Sequence, residues 1–121
     1  MVKVNNREIE WEDAPEGFYL TDVKMHVLWK NEKTGAHFVL IKFPKGGPPE
    51  LPHVHPDANH WMFGLSGKIA GSGDRIISLP ETYVFAFSPK GVKHGPPKER
   101  RFLDDTIALA YFDGPHTRLF E

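Results

Sequence analysis

The stretch "GGPPELPHVHPDANHWMFGLSG", residues 46–67, governs how the rest of this sequence is interpreted. It places three histidines, His53, His55 and His60, between a Pro/Gly-rich entry and an apolar run that ends at Gly67. Because alternate side chains of a β-strand share a face, a strand would point the imidazoles of His53 and His55 the same way, whereas a helix would make them diverge. His60 follows the turn-forming "PDAN" and can return toward the same interior space.

Short segments rich in β-branched and aromatic residues lie on both sides of this stretch. The 121 residues include 11 glycines and 11 prolines spread along the chain, a spacing that suits short strands joined by turns. No helix cap or helical stripe of useful length interrupts them. We therefore expect one all-β domain over residues 1–121, closed as a barrel or stacked as a sandwich so that open edges are protected. The predicted strands are 23–29, 36–43, 60–71, 75–79, 82–87 and 106–112, with "GSGD" at 71–74 as a hairpin turn.

Composition narrows the function classes. The 15 Lys and Arg residues against 16 Asp and Glu residues, without a run of like charge, give no electrostatic signature for nucleic acid or an anionic membrane. The absence of cysteine excludes disulfides and a thiol nucleophile, and fits a reducing compartment. No signal-peptide pattern opens the sequence, and no apolar stretch approaches the roughly 20 residues of a membrane span. We expect a cytoplasmic protein with a small-molecule partner.

A fourth histidine, His94, follows the turn "SPKGVK" after the predicted strand 82–87. Pairing of the strands could bring four neutral ring nitrogens around one point, which suits Zn, Fe, Cu, Ni or Mn. The alternative is that these histidines are ordinary core or surface residues. We favour the metal site because each apolar interior position given to an imidazole needs a hydrogen-bond partner or a metal. The predicted ligands are His53, His55, His60 and His94.

These residues resemble the two sequence motifs of the cupins. The first motif is met by Gly47, five residues, His53-Val54-His55, four residues, position 60, six residues and Gly67, with His60 where the family has glutamate. The second is met by Pro89-Lys90-Gly91, two residues and His94, although Tyr83 and Lys98 replace its outer Gly and Asn. The resemblance covers about residues 20–112 and implies a double-stranded β-helix, a jelly-roll barrel with a metal ion inside.

His60 in place of glutamate bears on the chemistry that the resemblance implies. Four imidazoles would leave a divalent ion with a net charge of about +2 instead of about +1, which favours anionic ligands. His60 could instead stay off the ion and leave a three-histidine site with one more open position. The sequence alone leaves both arrangements open.

The segment "VLWKNEKTGAHFVLIKFPKGG", which precedes the first motif, resembles ChrR-like cupins and the small dioxygenases that cleave β-diketones and hydroxyacetophenones at a three-histidine iron. This likeness implies a dioxygenase that acts on a small enolisable or carboxylated compound. Fe(II) is the favoured cofactor, with Mn, Zn, Ni or Cu as alternatives. Two other functions remain open: a non-redox isomerase or lyase acting on a sugar acid, and a ligand-binding sensor. Cupins often pair through N-terminal strands, and the alternating segments within residues 2–11 predict a homodimer of this kind.

Other side chains are weaker candidates for the site. Strand parity puts Met62 on the face of His60, and an inward aromatic set on the strand 82–87 would bring Phe85 and Phe87 to a dry pocket. Glu50 could orient a histidine ring, although a solvated loop carboxylate is the more common role. Arg101, in the charged loop "KERR", could reach a substrate carboxylate. His26, His37 and His116 have no partner at ligand spacing and are assigned to structure or surface.

Overall fold

Eight β-strands and one 3₁₀ turn make up the regular structure in the computed structural model, which describes residues 1, 3–71 and 75–120. Among these residues, no helix is long and apolar enough to cross a membrane. The all-β prediction is confirmed. The bounds are: 3₁₀ turn Asn6–Glu8, β1 Glu12–Asp13, β2 Lys24–Lys30, β3 His37–Phe43, β4 His60–Ala70, β5 Ile76–Leu79, β6 Phe85–Ser88, β7 Arg101–Phe102 and β8 Thr106–Phe112.

The strands form two antiparallel layers that share the long strand β4. The first layer has the order β1-β2-β3-β8-β4-β6, so β8 lies between β3 and the first half of β4. The second half of β4 pairs with β5 and β7. Because β4 belongs to both layers, it folds one sheet over onto the other and creates an interior between them.

Glycines allow β4 to change layers. The pairing of β4 with β8 shifts register between Gly64 and Ser66. Gly67 then takes a φ of 125°, and a Cβ atom there would lie 2.3 Å from Oγ1 of Thr106. Only glycine meets both demands, since other residues are strained at this φ and carry the atom that would clash. The motif glycine at 67 is thus explained by the bend of β4 over the start of β8.

The core lies on the inner face of the first layer. On β3 and β8, buried residues alternate with more exposed ones. Such alternation is expected where one face of a sheet meets the interior and the other is left outside. The inward residues are Val39, Ile41 and Phe43 on β3 and Ala108, Ala110 and Phe112 on β8, each no more than 6% exposed.

The predicted strands match the observed ones with a few corrections. The segment 106–112 is β8 to the residue, whereas the segment 82–87 narrows to β6, Phe85–Ser88. The short strands β1 and β7 were not predicted, because two residues carry no readable periodicity. In the turn "GSGD", residues 72–74 lie outside the described residues. Of the N-terminal segments expected to pair as strands, Val2 is outside the described residues, and the described part of 2–11 contains a 3₁₀ turn and no strand.

Candidate metal centre

Backbone pairing brings the two histidine motifs together. The N–H groups of His53 and His94 each donate to the other's carbonyl, at 2.8 and 2.9 Å, in an isolated antiparallel bridge. The N–H of Gly91 donates to the carbonyl of His55 at 3.0 Å. Gly91 has a φ of 79°, which lets the turn after Pro89 close at this point. Main-chain hydrogen bonds therefore join His53 to His94, which are 41 positions apart in the sequence.

Carbonyl oxygens hold one nitrogen of each ring. Nδ1 of His53 lies 2.7 Å from the carbonyl of Leu51, and Nδ1 of His55 lies 3.0 Å from the carbonyl of Thr117. Nδ1 of His94 faces the carbonyl of its second neighbour upstream at the longer distance of 3.4 Å. Because a carbonyl can only accept, the ring nitrogen must carry the proton and donate it. Each neutral ring is left with an unprotonated Nε2, the form that binds metals.

The free nitrogens converge on one point. His53, His55 and His94 each offer a ring nitrogen, and the three atoms lie within 4.8 Å of one another. Nε2 of His53 is 3.3 Å from Nε2 of His55. With both Nδ1 atoms protonated, two lone pairs face each other at this distance, an arrangement that a cation between them would stabilise. Two nitrogens bound to one tetrahedral ion at about 2.05 Å would be roughly 3.3 Å apart. The donor set therefore fits a divalent metal ion.

Burial keeps the rings of His53 and His55 neutral. His53 is 0% exposed and His55 is 1% exposed. Desolvation, only partly offset by the hydrogen bond to a carbonyl, lowers the pKa of each ring from 6.5 to about 4. Neutral imidazoles need no deprotonation before binding a metal at pH 7, so the site is ready for an ion at that pH.

His60 stands beside the cluster and outside the three-nitrogen group. Its ring stacks on Phe112 with centroids 4.3 Å apart, and its centroid lies 5.3 Å from that of His55 and 6.2 Å from that of His94. Both of its ring nitrogens are buried without a hydrogen-bond partner among the described residues. Burial lowers its pKa to about 3. Three of the four predicted ligands thus form one group of ring nitrogens, and the neutral, unpartnered imidazole of His60 lies next to it.

A cavity of about 300 Å³ opens at this place. His60 and His94 line it together with Met62, as the parity of β4 predicts. The prediction for Phe85 and Phe87 is wrong: they are 56% and 48% exposed and do not line the cavity. The opposite set of the same segment, Val84, Ala86 and Ser88, faces it instead. The register explains this, because Phe87 pairs with Trp61 and Ala86 with Met62, and paired residues share a face.

The C-terminal segment, residues 116–119, supports the cluster. The sequence did not reveal this role. Leu119 pairs with Val54 between the two first-motif histidines, and the carbonyl of Thr117 receives the hydrogen bond from His55. His116, assigned from sequence to structure or surface, has its ring centroid 5.0 Å from that of His55. Nε of Arg118 donates to Nε2 of His116 at 3.2 Å. No local spacing could have identified residues that lie more than 50 positions from the first motif.

Glu50 has a different role from the one expected. Its Oε2 accepts from Nη1 of Arg118 at 2.7 Å, in an ion pair whose side chains are 16% and 3% exposed. Nη1 of Arg118 also donates to the carbonyl of Phe18, and its guanidinium lies over the ring of Tyr19 at 4.3 Å. Glu50 neither orients a ring directly nor stands in solvent. It holds Arg118 in place, and Arg118 directly follows Thr117, whose carbonyl accepts the hydrogen bond from His55.

The remaining candidates lie away from the cluster. His37 is buried and stacks on Phe112 at 5.0 Å, while Nδ1 of His26 donates to the carbonyl of Glu10 at 3.0 Å. Arg101 begins β7, is exposed, and does not line the cavity. Its neighbour Arg100, which the sequence did not single out, does line it.

Comparison with known proteins reveals similarity in structure and not in sequence. No protein-family model matches the sequence, and no curated protein matches it. An acetylacetone dioxygenase from Acinetobacter johnsonii superposes over 100% of this chain and 78% of its own, with a TM-score of 0.67 and 19% identity. KdgF from Halomonas sp. superposes over 93% of this chain and 94% of its own, with a TM-score of 0.61 and 19% identity.

A further match is the complex of SigE with the anti-sigma ChrR from Rhodobacter sphaeroides. It covers 90% of this chain and 52% of the matched chain, with a TM-score of 0.57 and 16% identity. An RmlC-like cupin from Shewanella frigidimarina also superposes over 93% of this chain, with a TM-score of 0.60. Similarity at these identities establishes the architecture. With its two layers joined through β4 and its histidines on the inner side, this chain has the cupin fold.

Proposed function

We propose that this chain is a single-domain metal-dependent enzyme, residues 1–121, in which His53, His55 and His94 hold one divalent ion. The observation that carries the proposal is the geometry of the three rings, each with Nδ1 facing a carbonyl and with a free nitrogen near one point. Fe(II) is the proposed native ion, and Zn, Mn, Ni and Cu are its competitors for such nitrogen ligands.

His60 is proposed to act beside the ion and not as a ligand. Its ring is outside the three-nitrogen group, yet its buried nitrogens have no partner among the described residues, and it lines the cavity. A neutral imidazole in this position can donate a hydrogen bond to a bound molecule and accept one from it. The stack on Phe112 holds the ring in place.

The proposed reaction is a dioxygenation of a small enolisable or carboxylated compound. When bound, a divalent ion supplies Lewis acidity, and iron(II) in addition supplies electrons for reaction with O₂. The chain supplies neutral histidines and mostly apolar walls that limit water, among them Met62 and Ala86. The volume of about 300 Å³ suits a small substrate. The structural similarity to an acetylacetone dioxygenase supports this choice of reaction.

The test is oxygen consumption by protein purified without a metal-affinity tag, stripped with a chelator and reloaded with Fe(II) under anaerobic conditions. Acetylacetone is the first substrate, followed by small β-keto acids and other enolisable carboxylates. We expect O₂ uptake that requires both Fe(II) and substrate and that is absent in the variant His55→Ala. Elemental analysis of the protein before stripping identifies the ion acquired in the cell.

Other outcomes would favour the two alternatives. Substrate turnover without O₂, most of all on a sugar acid, would replace the dioxygenase with a non-redox isomerase or lyase. Micromolar binding of a ligand without any turnover, under saturating metal, would favour a sensor. A cytoplasmic location is part of the proposal and is supported by the absence of cysteine.

The proposed assembly is a homodimer formed through the outer face of the first layer. Two rows of side chains cross this face in register and are here called the outer rows. Adjacent rings of the first row lie 4.6–6.4 Å apart. The first row is Trp29, Phe38, Tyr111, Trp61 and Phe87; the second is His26, Leu40, Leu109, Phe63 and Phe85.

The outer rows suit a second copy of this chain. They contain no Asp, Glu, Lys or Arg, so two copies of the face would meet without charge repulsion in a symmetric interface. The outer rows cross five strands, which gives roughly 24 Å across the strands, and extend roughly 14 Å along them. An apolar area of this size can form the centre of an interface of about 800 Å² per partner.

A further inference from the structure

Arg100 places a positive charge on the wall of the cavity beside the histidine cluster. It lines the cavity together with His60 and His94. Its Nε is buried and has no hydrogen-bond partner among the described residues, and it forms no ion pair with any carboxylate in that part of the chain. Its N–H donates to the carbonyl of Pro97 at 3.0 Å, so a turn fixes its position.

The side chain of Arg100 is only partly buried, but its Nε is a buried donor without a partner in the described chain, and such a donor requires an explanation. Glu50 is the one acidic side chain among the described residues that line the cavity, and it is paired with Arg118 at 2.7 Å. With the charge of Glu50 compensated, the net charge of the cavity wall comes from Arg100. Neutral histidines around a divalent ion would add further positive charge in the same space.

We propose that Arg100 binds a carboxylate of the substrate whose reacting end lies at the histidine cluster. Its fork of N–H donors matches the two oxygens of a carboxylate and can bind them in pairs. This inference rests on the proposed function and narrows its substrate class. The substrate is a small molecule that carries an enolisable carbonyl group and, at a distance set by the cavity, a separate carboxylate.

Arg101 is a matched control because it is the same residue one position later. It opens β7, where Phe102 points inward at 5% exposure and Arg101 is exposed. Arg101 does not line the cavity. Replacing either arginine by glutamine removes one positive charge from the same short segment, yet only the change at Arg100 removes a donor from the cavity.

The test measures binding and not turnover. The protein is loaded with Zn(II), which is redox-inert, and titrated in a calorimeter with succinylacetone, a β-diketone with a terminal carboxylate, and with its neutral amide. Charge-assisted hydrogen bonds predict that wild-type protein binds the carboxylate about 10- to 100-fold more tightly than the amide. In Arg100→Gln the affinities for succinylacetone and for its amide should agree within about two-fold. The substitution removes the charged partner of the carboxylate and should change the affinity for the uncharged amide only slightly. Arg101→Gln should keep the wild-type preference.

Since Nε of Arg100 has no hydrogen-bond partner in the described chain, Arg100→Gln should fold, and its melting temperature is the check. Arg100→Lys is a second variant: it keeps the charge without the fork and should retain part of the preference. The proposal is overturned by equal affinity for the two probes in wild type, by a preference that survives in Arg100→Gln, or by no binding of either probe at millimolar concentration.

The outcome is separable from that of the proposed function. If no substrate consumes O₂ while the preference for succinylacetone depends on Arg100, the dioxygenation is rejected and the carboxylate subsite stands. If O₂ uptake is found and Arg100→Gln leaves the preference for carboxylates unchanged, the subsite alone is rejected.

Discussion

Among single residues, the histidines illustrate how a main chain can set side-chain chemistry. The carbonyls of Leu51 and Thr117 accept from Nδ1 of His53 and His55, so the tautomer of each ring is set by groups that cannot themselves donate. His60 has no such acceptor among the described residues. The presence or absence of a carbonyl acceptor near Nδ1 thus gives chemically identical rings different roles.

This difference predicts how metal binding responds to substitution. His55→Ala should abolish stoichiometric metal binding, because it removes a ligand and its support from the C-terminal segment. His60→Ala should retain about one ion per chain and lose activity. Metal content by elemental analysis after equilibrium dialysis measures both, and loss of the ion in His60→Ala would show that the fourth histidine is a ligand after all.

Gly67 predicts a stability effect at a single position. Gly67→Ala combines an unfavourable φ of 125° with a Cβ atom 2.3 Å from Oγ1 of Thr106. We expect a loss of about 2–4 kcal/mol in the free energy of unfolding, measured by urea titration. Gly47→Ala is the control, since nothing lies within 4 Å of its added Cβ. Equal stability of the two variants would contradict the account of the bend in β4.

Among the elements, the C-terminal segment is joined to the site by an ion pair. Arg118 and Glu50 have side chains only 3% and 16% exposed, and the backbone next to Arg118 holds His55. Breaking a buried pair leaves a charge without compensation, which costs more than the loss of a surface contact. The segment is therefore part of the metal site although it contributes no ligand to the three-nitrogen group.

Arg118→Met should lower the free energy of unfolding by about 3–5 kcal/mol, because Glu50 would stay buried and unpaired. It should also weaken metal binding through His55. Lys24→Met is the control: its bridges to Asp13 and Asp22 are largely exposed, so its free energy of unfolding should stay close to that of wild type. Urea titration and zinc titration measure the two effects, and an Arg118→Met protein as stable as Lys24→Met would refute the structural role of the pair.

For the whole molecule, burial of several neutral histidines predicts how stability depends on pH. The pKa values of His53, His55 and His60 fall from 6.5 to about 4, 4 and 3, mainly through desolvation. The unfolded chain then binds protons between pH 6.5 and about 4 that the folded chain does not, so stability is intact above pH 6.5 and falls as the pH is lowered.

Metal-free protein should accordingly lose on the order of 1–2 kcal/mol per buried histidine by pH 5, measured by urea titration at several pH values. His60→Gln should reduce the slope, because it removes one of the buried rings whose pKa is lowered. A free energy of unfolding that is constant between pH 7 and 5 would be inconsistent with neutral buried rings.

The outer rows predict the assembly of the molecule. Phe38 and Phe63, at 40% and 51% exposure, belong to different rows. The double variant Phe38→Lys/Phe63→Lys should convert a dimer into a monomer, because four lysines would meet across the symmetric interface. Light scattering after size exclusion measures the mass. Ile76→Lys, on β5 in the other layer and 59% exposed, should remain dimeric, and a wild-type protein that is monomeric at working concentration would reject the assembly.

What the sequence by itself determined is local. A period of two placed His53 and His55 on one face, β-branched and aromatic runs marked six of the strands, and the turn "SPKGVK" preceded His94. These features follow from the geometry of a few consecutive residues. The cupin motifs contain the same histidines, with glycines, at fixed intervals in the sequence. The fold class and most of the histidine cluster could therefore be predicted.

Only the tertiary structure decided three features: which face of β6 points inward, whether a ring nitrogen of His60 belongs to the group formed by the other three histidines, and which of two neighbouring arginines lines the cavity. On the segment 82–87 both alternate sets are apolar, and the pairing of Phe87 with Trp61 sends the larger set outside. Arg100 and Arg101 are the same residue in sequence, and the turn after Pro97 separates their environments. The physical reason is that burial and pairing depend on strands far apart in the chain, whose positions no local pattern contains.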